Sequence, residues 1–420
     1  MSSSEFYNAP AKNVPYYTPE QLPPAGSAHH PQPDDKPVPK LFQPIKIRGV
    51  EFQNRIFLSP LCQYSTKNGV VTPWHTAHLG GIFTRGPGLS IVEASAVSPE
   101  GRITPEDAGI WNDEQVEAWK QVTTFAHSQN QKIGIQIGHA GRKASTVAPW
   151  LSFHETATKE LDGWPDEVVA PSAITHSPGF PHPKALTKEG VERIRDAFIE
   201  GAKRSVEAGF DVIELHGAHG YLLHQFISPI SNKRTDEYGG SFENRVRLPL
   251  EIVEGIRAAI PADVPLFYRI SATDRLEEVA PNEPSWTLQD TIKFTELLAG
   301  RGVDLIDVSS AGNDPRQKLP PITDEARAYH ADLSTPIKAA LGDKIVVGVV
   351  GGISNGKLAQ RVLDNNEADL VLVGRSFQKN PGLVWQFAED IGVVINVAHQ
   401  IGWGFFGRGS SIGKRLPKKQ

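Results

Sequence analysis

Apolar runs recur along the chain at 56–59, 90–96, 133–137, 210–215, 266–270, 303–308, 345–349 and 370–373, eight in all. Between most of them lie stretches of helical periodicity, clearest at 113–130, 188–208, 245–260 and 288–301, several opening on an acidic or a capping residue. Nearly continuous apolar runs mark strands buried on both faces, and their alternation with helices implies a parallel sheet. A count of eight predicts closure into a single α/β domain, a (β/α)8 TIM barrel. Ahead of the first run, PIKIRGVEFQNR alternates apolar and polar residues about Gly49, which reads as an N-terminal hairpin capping the mouth or floor of the barrel.

Residues 142–187 break the pattern. So long a stretch with little periodicity is expected to be a lid, and its place after the third strand puts it on the catalytic face. Its Trp150 and Trp164 either shape a pocket or pin the loop to the rim. Residues 1–40 are proline-rich and polar and are expected to form a mostly extended arm. The barrel is expected over 41–401, and the glycine-rich, then basic, 402–420 as a solvated tail.

Composition narrows the chemistry. A formal net charge of −5 over 420 residues provides no general basic surface, which argues against nucleic acid as a partner. The single cysteine, Cys62, excludes an intrachain disulfide and an iron–sulfur cluster held by several of the chain's own thiolates. It also favours a reducing compartment. No apolar run approaches the roughly 18 residues that span a bilayer, and the N-terminus lacks a secretory pattern, so no membrane association and a cytoplasmic location are expected.

Candidate chemistry lies past the strand ends. The fourth run ends in His216, and His219 and Tyr221 follow within five residues, with Gly217 and Gly220 freeing the backbone between them. Two imidazoles and a phenol there suggest a carbonyl clamp beside a proton donor. SPLCQYS sets Cys62 and Tyr64 after the first strand, EASAV closes the second in small residues, and Gln136 and His139 close the third. Arg269, inside LFYRISA, needs a carboxylate or an electron-rich ligand, because a buried unpaired charge is costly. The seventh strand runs into Gly348, Gly351 and Gly352, and the eighth into Gly374 and Arg375, where barrel enzymes commonly hold phosphate. Phosphate groups there and a heterocycle facing Gln136 and Arg269 describe a phosphorylated flat cofactor, and flavin mononucleotide (FMN) has that shape. Competing readings are a zinc site at HxxH, which lacks a third ligand because His224 falls on a helix start, and a plain buried thiol at Cys62.

Along NRIFLSPLCQYS, EASAVSPEGR, GIQIGHAGRK, GFDVIELHGAHGYLLHQFISPISNKRTDEYGGSFENR, VDLIDVSS and LVLVGR, the chain resembles the Old Yellow Enzyme family of flavin-dependent ene-reductases. The likeness covers nearly the whole folded part. The cysteine after SPL and the His–His pair resemble the thermophilic-like and fungal branch that carries a cysteine near the flavin. The resemblance implies that Ser59, Pro60, Leu61, Cys62, Ala94, Gln136 and Arg269 surround a non-covalent FMN ring, and that Gly351, Gly352, Gly374 and Arg375 hold its phosphate. It implies NADPH or NADH as reductant and hydride transfer from the flavin to the β-carbon of an enone, enal or maleimide. His216 and His219 would hold the carbonyl oxygen, Tyr221 would protonate the α-carbon, and Tyr64 would line the substrate side. By their own chemistry the residues predict no metal site, and Arg234, Asp236, Tyr238 and Glu243 in RTDEYGGSFEN read as scaffold, with Ser241 capping the next helix and Glu243 complementing its dipole.

Members of this branch often carry an arginine before a Gly–Trp pair that reaches into the neighbouring subunit; here Ile401 precedes Gly402–Trp403, with Arg408 as a substitute. A homodimer is implied by the resemblance alone. Two other functions stay open, a tailoring isomerase or reductase of one secondary metabolite and a non-catalytic flavin-holding stress protein. A dienoyl reductase of related fold needs an iron–sulfur cluster that one cysteine does not support.

Overall fold

The computed structural model describes residues 7–319 and 328–407. An antiparallel hairpin, β1 (Ile45–Ile47) and β2 (Val50–Phe52), precedes β3 (Ile56–Leu58), α1 (Pro73–Phe83), β4 (Leu89–Ala96), α2 (Asp113–Ser128) and β5 (Ile133–Gly138). Two short strands, β6 (Val169–Ala170) and β7 (Lys184–Ala185), lie within the long connection. Alternation resumes with α3 (Lys188–Glu207), β8 (Val212–Gly217), α4 (Leu222–Ile227), α5 (Phe242–Arg245), α6 (Arg247–Ala259), β9 (Leu266–Ser271), α7 (Leu288–Ala299) and β10 (Leu305–Ser309). It ends with α8 (Ala331–Leu341), β11 (Val346–Val350), α9 (Gly356–Asp364), β12 (Leu370–Val373), α10 (Arg375–Lys379), α11 (Leu383–Ile391) and α12 (His399–Phe406).

Strands β3, β4, β5, β8, β9, β10, β11 and β12 pair in that order, all parallel, and β12 closes on β3. This is the (β/α)8 barrel expected from the eight runs. The fourth run is displaced by two residues: Phe210 leaves the sheet and sets its ring against Trp119 of α2, centroids 5.4 Å apart. Strand β8 therefore reaches Gly217, and His216 is a strand residue paired in register with Arg269 of β9.

The lumen is layered. Phe57, Leu89, Ile91, Val212, Phe267, Leu305, Leu370 and Leu372 fill the amino-terminal half and pack on Ile47 and Phe52 of the hairpin. The hairpin thus caps the floor, and each large side chain in this plug contributes on the order of 2 kcal/mol by leaving water. One layer higher the inward positions turn polar, with Gln136, Glu214, Arg269 and Asp307 all buried. That change along the same strands leaves the carboxyl-terminal half for chemistry.

The proline-rich arm is stitched to the barrel. Gly26 N–H donates to the Asn396 carbonyl (2.8 Å), Asn396 N–H to Ser27 (2.8 Å) and His29 N–H to Val394 (3.0 Å). Asn54 Nδ2 reaches the Gly26 carbonyl (3.1 Å) and Asn130 Nδ2 the Gln21 carbonyl (2.9 Å). At the other end, residues 402–406 belong to α12, so the expected tail boundary at 402 is corrected to 407. Arg408 and the basic segment lie outside the described residues.

Candidate functional site

Strand β8 carries His216 into the mouth of the barrel, 5% exposed. The chain then turns sharply, with His219 at φ 59° and Gly220 at φ 72°. Two glycines make the turn possible: a Cβ on Gly217 would lie 2.2 Å from the Tyr268 ring, and one on Gly220 2.1 Å from the Gly312 carbonyl. The left-handed His219 is held by its own N–H donating to Ser271 Oγ (2.9 Å) and by Nε2 against Ser309 Oγ (2.7 Å). His224 braces the same turn, with Nδ1 accepting from Gly220 N–H (2.9 Å) and Nε2 3.0 Å from Asp274 Oδ1. It does not join the HxxH pair.

These constraints bring the three candidate groups together. The His216 and His219 ring centroids are 5.2 Å apart at 88°, and His216 and Tyr221 4.9 Å apart at 79°. Burial, then the Arg269 charge, holds both imidazoles well below their usual ionisation range, so they are neutral N–H donors at pH 7. Burial pushes the Tyr221 phenol up, with Cys62 and Asp107 adding to it, so its proton stays in place. Lys143 Nζ sits 5.2 Å over the Tyr221 ring and donates to the carbonyls of His219 (2.9 Å) and Gly312 (3.1 Å). Burial, then Arg142, draws its ammonium down to about 8.

Ser59, Pro60, Leu61, Cys62 and Tyr64 follow β3 in one loop, held from behind by Glu93. Glu93 Oε2 accepts from Gln63 N–H (2.5 Å), and Oε1 lies 2.5 Å from His75 Nε2 on α1. Burial pushes the half-buried Cys62 thiol well up, followed by the charges of Asp107 and Glu93. Tyr64, at φ 49°, stands edge-on to Trp150, centroids 5.3 Å apart. Trp150 therefore belongs to the rim of the site. Trp164 pins the lid instead: it is buried, donates from Nε1 to the Glu100 carbonyl (3.0 Å), and carries the Arg102 guanidinium 4.5 Å over its ring.

Below the histidines, Ala94 sits at a bulge in β4 and pairs in register with Gln136 of β5. Gln136 Nε2 donates to Glu214 Oε1 (2.8 Å), and Arg269 Nε lies 3.0 Å from Asp307 Oδ2. The partner that Arg269 requires is thus a carboxylate on β10. Glu214 and Asp307 escaped the sequence reading although each interrupts an apolar strand run, VIELHG and LIDVS, in the way Arg269 does.

The glycines after β11 and β12 form the far side. Gly351 has φ 112°, and a Cβ there would lie 2.9 Å from Tyr329 Cβ; Gly352 has φ 71°. Gly374 faces Leu61 at ordinary contact distance, Arg375 opens α10, and Ser376 Oγ donates to Ile353 carbonyl (3.2 Å), tying the two loops together. The residues present fit an FMN. Arg269 has no well-aligned hydrogen bond from Nε among the described residues, which leaves donors for a heterocycle edge, and the bare backbone at 351–352 admits a phosphate. The RTDEYGGSFEN segment lies apart as scaffold, with Arg234 paired to Asp236, Tyr238 OH on Glu251 (3.2 Å), and Ser241 Oγ accepting from Asn244 N–H (3.3 Å).

Residues 40–392 match the family described as NADH:flavin oxidoreductase / NADH oxidase. The chain is 54% identical over 415 residues to NADH:flavin oxidoreductase FG08077 of Gibberella zeae, covering 98% of each. It is 40% identical over 370 residues to an NADPH dehydrogenase of Geobacillus sp., covering 87% of this chain and 99% of the relative. Morphinone reductase in complex with tetrahydroNAD matches at TM-score 0.67 and 26% identity, over 86% of this chain and 93% of that one. A 2-naphthoyl-CoA reductase shares the fold at TM-score 0.73 and 24% identity, over 83% of this chain; the chain spans 52% of its length. The chain therefore belongs to the NADH:flavin oxidoreductase / NADH oxidase family, the Old Yellow Enzymes, and is an oxidoreductase that uses FMN with NAD(P)H as reductant.

Proposed function

We propose that this protein is an ene-reductase that saturates the activated C=C bond of α,β-unsaturated carbonyl compounds. The observation that carries this reading is the convergence of two neutral imidazoles and one protonated phenol at the end of β8. FMN, when bound, supplies the two-electron chemistry between NAD(P)H and the substrate. Ser59, Pro60, Leu61, Cys62, Ala94, Gln136 and Arg269 would hold its ring, and Gly351, Gly352, Gly374 and Arg375 its phosphate.

His216 and His219 donate hydrogen bonds to the carbonyl oxygen of the substrate. Both are fixed before it arrives, His216 by the strand and His219 by Ser271 and Ser309, so little reorganisation accompanies the charge that grows on that oxygen. Tyr221 delivers its proton to the α-carbon, and its raised ionisation keeps it loaded across neutral pH. Tyr64 and Trp150 wall the substrate side.

Purified protein is expected to be yellow, to bleach with NADPH under anaerobic conditions, and to recover colour when cyclohexenone or maleimide is added. Protein that fails to take up FMN sinks this reading. Reduced protein that reacts with oxygen but with no simple enone favours the second one, a tailoring enzyme for a single larger substrate, which the Tyr64–Trp150 contact at the rim would accommodate. Membership of the cysteine-bearing branch of the family belongs to the same proposal, and Cys62 with the His216–His219 pair supports it. A homodimer in the cytoplasm is part of the same proposal; among the described residues no helix is long and apolar enough to cross a membrane. Ile401, on α12, supplies no arginine to a neighbouring site.

A further inference from the structure

Two carboxyl groups and one guanidinium share the lumen of the barrel directly below the histidine pair. Glu214 of β8 is in register with Gln136 of β5, and Asp307 of β10 with Arg269 of β9. Glu214 and Asp307 are 0% exposed, Gln136 2% and Arg269 7%. The Phe267, Leu305 and Leu370 plug beneath them keeps water out from the floor. Asp307 has the guanidinium at 3.0 Å. Glu214 has an amide: Gln136 Nε2 donates to its Oε1, and its Oε2 has no donor among the described residues.

Charge counting gives the consequence. Fully ionised, the cluster carries one positive and two negative charges in a desolvated layer, and the remaining groups facing it are the neutral Gln136 and the neutral His216 on β8 itself. An uncompensated buried carboxylate is far costlier than a buried carboxylic acid, so one carboxyl keeps its proton. Burial pushes the Asp307 carboxyl up, and the Arg269 guanidinium in contact with it pulls it back toward the anion. Glu214 lacks such contact, and the proton falls to it.

We propose that Glu214 is a proton-holding site coupled to the redox state of the flavin: it is a neutral acid when the cofactor is reduced, and it ionises more readily when the cofactor is oxidised. This rests on the ring lying against Gln136 and Arg269, as the proposed function has it. Burial first, then the Asp307 charge, lifts Glu214 to about 8, while Arg269 and Gln136 pull the other way. Two-electron reduction with uptake of one proton adds one negative charge to the cofactor. Negative charge beside Gln136 and Arg269 raises the ionisation of Glu214 further. Between the two ionisation points, each pair of electrons then brings in two protons, one to the cofactor and one from solvent to Glu214, and oxidation returns both.

The test is the flavin midpoint potential, measured by spectroelectrochemistry on the FMN-loaded protein between about pH 7 and 10. For the wild type, its slope against pH is expected to double over a window opening near pH 8. In Glu214→Gln, which keeps shape and has no proton to exchange, the slope stays single throughout. A single slope in the wild type overturns the proposal without any variant, and doubling that survives in Glu214→Gln overturns it too. Failure to bind FMN would instead refute the proposed function, so the two outcomes are distinct.

Discussion

Burial first, then the neighbouring Cys62 and Asp107, raises the ionisation of the Tyr221 phenol, so in the proposed role it meets the substrate with its proton in place. Tyr221→Phe removes the hydroxyl that carries that proton and leaves the ring against His216 and Lys143. Enone reduction is expected to fall about 10²- to 10⁴-fold while reduction of the protein by NADPH is unchanged, with stopped-flow absorbance resolving the two halves. Unaltered enone turnover would return the phenol to a packing role and revive the non-catalytic reading. His216, His219 and Tyr221 were legible because they fall within six positions, where local chain geometry alone brings them near one another. Glu214, Asp307 and Lys143 were not, because each gains its meaning from a residue on another strand or loop: Asp307 only 38 residues beyond Arg269, and Lys143 beneath a turn 76 residues further on.

At the scale of the element, the connection after β5 is the part that departs most from a minimal barrel. Its long coil is held by a few anchors. Trp164 fills a small apolar cluster with Ala140, Ala144 and Val168, and Arg142 donates to the Asn313 carbonyl. Trp164→Ala should cost about 3 kcal/mol of local stability, by analogy with other buried tryptophans. Limited proteolysis is expected to cut first within 142–187, and KM for enones to rise more than kcat falls; cleavage elsewhere first would show that the lid has other anchors. Amphipathic helices such as α2, α3 and α7 were readable because their caps, Asn112, Thr187 and Thr287, sit beside clear periodic stripes. Helix α1, with Gly80 and Gly81 inside it, and α8, with Pro336 in its second turn, were not, since tertiary packing outweighs their poor helical propensity.

For the whole molecule, buried titratable groups set a pH profile. His139 and His330 are drawn down to about 4, and His216 and His219 well below their usual range, so the unfolded chain binds more protons than the folded one below about pH 6.5. Stability from these groups is lost as pH falls through that window. Asp107, raised to about 7, and Glu214, raised to about 8, act oppositely: the folded protein keeps their protons longer, and stability is lost as pH rises toward those values. Unfolding free energies from urea titrations are therefore expected to peak near pH 6.5 and to fall toward pH 8, by about 1.4 kcal/mol per pH unit for each carboxyl group that the folded state alone keeps protonated. Glu214→Gln should flatten that alkaline limb, and a limb unchanged in the variant would assign it to other groups. The arm offers a second global test. Deleting residues 1–38 removes the hydrogen bonds joining Gly26, Ser27 and His29 to 394–396, and is expected to cost on the order of 3 kcal/mol at about 1 kcal/mol per bond. Calorimetry on the truncated and full chains measures it, and an unchanged transition would make the strap dispensable.

What the sequence by itself determined is the barrel and which side chains gather at its mouth. Eight buried strands announce themselves through apolar runs, and side chains at their ends share one face because parallel strands all finish on the same side. What only the tertiary structure decided is which distant groups meet. A carboxylate on β10 answers the charge of Arg269, an amide on β5 faces Glu214, and a proline-rich arm lies against the segment after α11. Those pairings depend on closure of the sheet and on the register of its strands, which fix distances between residues that no local pattern relates.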